Sequence, residues 1–157
     1  MRNLPVAPEL SPNPVQDTDL AEHTIRLGAA WEAQDLAAPG RPPFRLNLPV
    51  DWSGFLPRED SATSRIRLTR RFGRPLGLDP GSPDGRARLV IENGPGIFGI
   101  EVNGEAVAWH PSGEARVALD LPPLGPRNVV AIEVEIDASA RAWGDVSIVF
   151  GGGPDGR

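Results

Sequence analysis

The chain has no cysteine, no lysine and no tyrosine among its 157 residues, and only two histidines, His23 and His110. Without cysteine there is no disulfide, no thiolate nucleophile and no Cys-based metal site. The two histidines stand far apart, and no nucleophile-elbow serine motif accompanies them, so a Ser/His/Asp triad is unsupported. Two histidines alone would make only an open, weak metal site, and neither a metal nor another cofactor is expected. No apolar run approaches the roughly 20 residues of a membrane span, so no membrane association is expected. The start, Met1 to Pro8, carries no apolar stretch of signal-peptide length, which leaves the cytoplasm as the default location. All 16 basic residues are arginine, as in proteins from GC-rich bacterial genomes, and the formal net charge is −5. That balance argues against a nucleic-acid partner, because binding phosphates needs a basic face.

What is present is period-two patterning. Residues 1–22 hold four prolines and an Asp17-Thr18-Asp19 run without apolar periodicity, and read as an extended arm. From residue 23 to 150 one domain is expected. Ile25, Leu27, Ala29 and Trp31 alternate on one face, and Phe44, Leu46, Leu48 and Val50 repeat the pattern after a Pro-rich loop. Residues 51–63 form an irregular loop long enough to invite a functional explanation. Further runs follow at Ile66/Leu68/Phe72, Ala87/Leu89/Ile91 and Phe98/Ile100/Val102, then at Ala106 to Trp109. Val117/Leu119/Leu121, Val130/Ile132/Val134/Ile136 and Val146/Ile148/Phe150 complete the set. Asn103-Gly104 is the strongest hairpin signal, since both residues tolerate the positive φ of a type I′ turn. Eight or nine short strands with no helical crossover predict two packed antiparallel sheets, an all-β sandwich of jelly-roll type. The glycine-rich residues 151–157 read as a flexible tail.

Several polar groups raise chemical questions. The cluster Arg65, Arg67, Arg70, Arg71 and Arg74 reads as a solvated strand face, except that the alternation puts Arg70 on the apolar side unless a bulge shifts the phase. There it would either line a pocket or pair with a carboxylate at the sheet edge. Glu133 and Glu135 share a strand face, but outward-facing glutamates on an exposed sheet account for them without acid–base catalysis. Asp79 and Asp84 match no oxygen-ligand loop spacing for calcium. Gly94, Gly96 and Gly99 lie between two strands, not between a strand and a helix, so they are no phosphate cradle.

The order of the Arg70-Arg71-Phe72 run with Pro75, Leu89 to Glu92, Val102-Asn103-Gly104-Glu105-Ala106-Val107, Asp120-Leu121 and Asn128 to Val134 resembles the sugar-binding, galactose-binding-like β-sandwich of family 2 glycoside hydrolases. In those enzymes the module is accessory, and the catalytic glutamates come from a barrel for which 157 residues leave no room. The resemblance therefore implies a non-catalytic recognition module, with no catalytic residues here and a carbohydrate or a protein as partner. A sugar site would use an aromatic face against the apolar side of a pyranose, with Arg, His or amides reaching the hydroxyls. Trp31 and Trp143 continue apolar faces and read as core. Trp52, in the long loop, and Trp109, beside His110, are the candidate platforms, with Arg70 as a candidate polar partner. His110 resembles a position where many relatives carry a histidine before a Gly-rich turn; the plainer reading is a side chain that caps this turn by hydrogen bonding.

Overall fold

A computed structural model describes residues 22–54, 64–82, 85–110, 116–136 and 142–151. The expected arm up to residue 21, the tail from residue 152, most of the long loop (55–63) and Asp84 lie outside the described residues. Two antiparallel sheets pack face to face. The smaller has the order β1 (His23–Arg26), β10 (Asp145–Phe150), β5 (Ala87–Glu92), β8 (Arg116–Asp120). The larger has the order β3 (Phe44–Leu46), β2 (Trp31–Asp35), β4 (Ser64–Gly73), β9 (Arg127–Ile136), β6 (Ile97–Val102), β7 (Glu105–Ala106). From β4 onward the chain alternates between the sheets, β4 to β5 to β6, then β7 to β8 to β9 to β10, which is the jelly-roll path. Among the described residues no helix is long and apolar enough to cross a membrane.

The alternating runs account for the core. Leu68, Leu89, Ile91, Val130, Ile132, Val134, Ile148 and Phe150 are almost fully buried between the sheets. Such close-packed apolar area supplies most of the stabilisation of a sandwich. Trp31 and Trp143 belong to this core as expected, and their indole N–H groups are satisfied by the carbonyls of Leu27 and Pro95.

Two strand assignments are corrected. The run from Ile25 to Trp31 is not one strand: it breaks into β1 and β2, so ten strands replace the expected eight or nine among the described residues. The break is where the chain passes from one sheet to the other. Leu27 donates its N–H to Val146 in the smaller sheet, Gly28 accepts from Leu48, and Ala30 turns at φ 58°. Phe98 does not share the inner face with Ile100 and Val102. A register shift between Ile97 and Gly99 against β9 makes Phe98 a bulge residue, so Ile97 points inward and Phe98 is exposed.

The Asn103-Gly104 turn is as predicted. Both residues have positive φ, 53° and 81°, and Val102 pairs with Glu105 across the hairpin. The turn is also tied laterally: Asn103 Oδ1 accepts from Val129 N–H, and Asn103 Nδ2 donates to Asn128 Oδ1. Asn128, a buried polar residue, closes the network by exchanging hydrogen bonds with the backbone of Gly125.

Candidate recognition site

The hairpin delivers Trp109 and His110 to the rim of the sandwich. After β7, Val107 still donates to Ile100, and the chain then leaves the larger sheet toward β8, the edge strand of the smaller one. Trp109 is half-buried and, like Val107 and Val117, packs against the core, while His110 is exposed. Between this segment and β8 lies a cleft of about 440 Å³, walled by Ala108, Trp109 and His110 on one side and by Arg116, Val117 and Ala118 on the other. Arg116 is held by Glu92 on β5 at 3.4 Å, but both side chains are more than half exposed, so the guanidinium stays available. The cleft thus combines an aromatic face, an imidazole and a guanidinium, a set suited to an apolar ring face bearing hydroxyls. Among the described residues no carboxylate lines it.

The other two candidates stand elsewhere. Trp52 is fully buried in a 3-10 turn (Trp52–Gly54), with its ring tilted 59° to Trp143 at a centroid distance of 6.0 Å. It offers no face to a ligand, and the expectation of a platform there is corrected: the start of the long loop folds back to plug the sandwich. Arg70 does lie on the inner face of β4, because the register with β9 runs unbroken from Ser64 to Gly73. The expected carboxylate partner is absent among the described residues; the Arg70 Nε is buried without a hydrogen bond. Arg70 lines no part of the Trp109 cleft.

Three further arginines of the cluster, Arg65, Arg67 and Arg74, make structural contacts. On the outer face of the larger sheet, Arg67 reaches Glu101 at 2.5 Å and Glu133 at 2.7 Å, and Arg65 pairs with Glu135 at 3.0 Å while lying 5.2 Å above the Phe98 ring. The hydrogen bond from Arg67 holds the Glu101 carboxyl below its usual range, and the same bond raises the Arg67 guanidinium. Glu133 and Glu135 are therefore neutralised sheet-surface groups, as the alternation implies. Arg74 donates to the Leu124 carbonyl at 2.8 Å. Asp79 folds its own loop, accepting from Gly81 N–H, and the described residues hold no cluster of His, Asp and Glu that could bind a metal. Arg116 is the cleft residue that sequence reading misses, since only the β7-to-β8 crossing brings it to the hairpin.

No protein-family model matches this chain, and no curated protein sequence matches it. Solved structures do. A GH2 β-galacturonidase from Eisenbergiella tayi superposes with a TM-score of 0.61 at 17% identity over 83% of this chain and 25% of its own. An FMN-binding β-glucuronidase from Facaelibacterium prausnitzii L2-6 gives 0.57 at 18% identity, over 82% of this chain and 22% of its own. A β-glucuronidase from Ruminococcus gnavus gives 0.56 at 12% identity, over 82% and 30%. This chain spans between 22% and 30% of the length of these enzymes. It has the fold of one β-sandwich portion of family 2 glycoside hydrolases, the architecture that its strand and turn order resembles.

Proposed function

We propose that this chain is a non-catalytic recognition module that takes a carbohydrate in the cleft at Trp109 and His110. The observation that carries the reading is the fate of the four tryptophans: Trp31, Trp52 and Trp143 are spent on the core, and Trp109 alone keeps part of its indole open, in a cleft with two polar side chains. Stacking on one half-exposed indole, with hydrogen bonds from Arg116 and His110, supports affinities of roughly millimolar to micromolar. The likeness to enzymes that act on glucuronides and galacturonides supports a sugar over other small ligands by fold analogy. The test is binding to an immobilised glycan panel by the wild type and by Trp109→Ala and His110→Ala. Saturable binding lost in Trp109→Ala with the melting temperature held supports the reading; binding that survives this substitution refutes it.

A protein partner is the second reading, and the β8 edge favours it. This strand pairs with β5 on one side only. Because Leu121 N–H bonds to Ala87, the pairing directs the backbone groups of Arg116, Ala118 and Asp120 away from β5, toward the cleft side. An exposed edge of this kind can accept an added strand. Self-association, or binding of an extended peptide that blocks exchange of the Ala118 amide, with no glycan response, would select this reading.

A further inference from the structure

A second cleft, of about 400 Å³, lies where β8 runs out beyond Asp120 and the chain enters β5. Its size falls within the roughly 300–1,000 Å³ of small-ligand sites. Pro80, Pro122 and Pro123 form rigid walls that carry no N–H, and Leu121 and Ala87 supply further apolar surface. The lining backbone amides of Gly85, Leu121 and Gly151 are already committed, to Ser82, Ala87 and Arg86 respectively. The side-chain donors of the cleft are thus two guanidinia, Arg86 and Arg88. Arg86 is exposed and has no ion-pair or hydrogen-bond partner for its guanidinium among the described residues. Arg88 has only Asp120, at 3.4 Å, and that carboxylate is 87% exposed, a geometry in which an ion pair contributes little. Among the described residues, two cations stand against one loosely held anion in this cleft, on a chain whose net charge is −5.

We propose that this cleft binds a carboxylic acid borne on an apolar ring or short chain. The planar fork of a guanidinium matches a carboxylate in two parallel hydrogen bonds, and two arginines line this cleft. The proline and leucine walls favour an acid with an apolar body, since a fully hydrated ion such as inorganic phosphate gains nothing from them. Asp120 acts as the internal competitor: it occupies Arg88 until the ligand carboxylate displaces it. The site shares no residue with the Trp109 cleft and stands or falls apart from the sugar reading.

The experiment is titration of the full chain with benzoate, acetate and inorganic phosphate at constant ionic strength, followed through the backbone amides of Gly85 and Gly151 and the arginine Nε–H signals by two-dimensional NMR. Benzoate is expected to move these signals saturably and to bind more tightly than acetate or phosphate. Arg86→Gln and Arg88→Gln should each weaken it by about tenfold or more. Asp120→Asn should tighten it by about twofold to threefold, an effect no loss of folding can mimic. N-acetylphenylalanine added in parallel separates the two sources of a carboxylate, a polypeptide C-terminus if it binds better than benzoate and a free acid if worse. Equal response to all three anions, or benzoate binding unchanged in Arg86→Gln and Arg88→Gln, overturns the proposal.

Discussion

Two glycines with nearly the same backbone dihedral should respond very differently to alanine, and the difference isolates what holds the sandwich in register. Gly104 sits at φ 81° and Gly96 at φ 82°. At Gly104 an added Cβ meets no atom within 4 Å, so Gly104→Ala costs only the left-handed backbone strain, about 1–2 kcal/mol. At Gly96 the same Cβ would stand 2.1 Å from the carbonyl oxygen of Glu135, an atom of the β9 backbone that cannot step aside. The Gly96 carbonyl also accepts the Glu135 N–H at 2.8 Å, so relieving the clash breaks the hydrogen bond that anchors β6 to β9. The steric cost and the lost bond add to the strain, giving about 3–5 kcal/mol in total. For a domain of this size 1 kcal/mol moves the melting temperature by roughly 2–4 °C. Gly104→Ala should then melt about 2–8 °C below wild type and Gly96→Ala about 6–20 °C below, and because one conversion applies to both, the Gly96→Ala shift should be at least about one and a half times the other. Thermal unfolding followed by fluorescence of the buried tryptophans measures both. Equal destabilisation of the two variants would refute the close approach of Gly96 to the β9 backbone.

Three other outcomes follow from the same contacts. Trp52→Ala should destabilise by about 3–5 kcal/mol in urea unfolding, because it empties a large buried site against Trp143. Asn128→Ala should cost about 2–3 kcal/mol in the same assay, because it strands the Gly125 backbone and the Asn103 amide. The Glu101 carboxyl is depressed by the Arg67 hydrogen bond, so its stabilisation is complete above the unfolded-state value of about 4.3 and is lost as pH falls through the lower folded-state value. Glu101→Gln should therefore flatten the acid limb of the stability–pH profile and leave its slope near neutrality unchanged.

How much of this was legible depended on whether the determining contact was local. The Asn103-Gly104 turn and the ten-residue alternation of β9 were readable because dihedral preference and strand period are properties of adjacent residues. The inner placement of Arg70 followed from the same period, with no bulge in β4 to disturb it. The outward place of Phe98 is not legible in the sequence because it comes from a register shift between β6 and β9, a property of the pairing of two strands. The run from Ile25 to Trp31 kept a strand's alternation while crossing between two sheets, which period alone cannot reveal. Trp52 looked like a loop residue, and it is one, but the loop packs its indole on Trp143, distant in sequence. The cleft itself needed the β7-to-β8 crossing, so Trp109 and His110 were nameable in advance while Arg116 was not.

The most direct test of the recognition site at Trp109 is two-dimensional NMR of the tryptophan indole N–H signals, recorded while the protein is titrated with oligosaccharides that contain uronic acid and with neutral ones. Four indole signals are expected, and Trp31, Trp52 and Trp143, sealed in the core, should stay in place. The account predicts that the Trp109 indole signal moves saturably with at least one sugar, together with the amides of His110 and Arg116. Shifts that spare Trp109 and cluster elsewhere, or no shift with any sugar at about 10 mM, well above the expected dissociation constants, would contradict it.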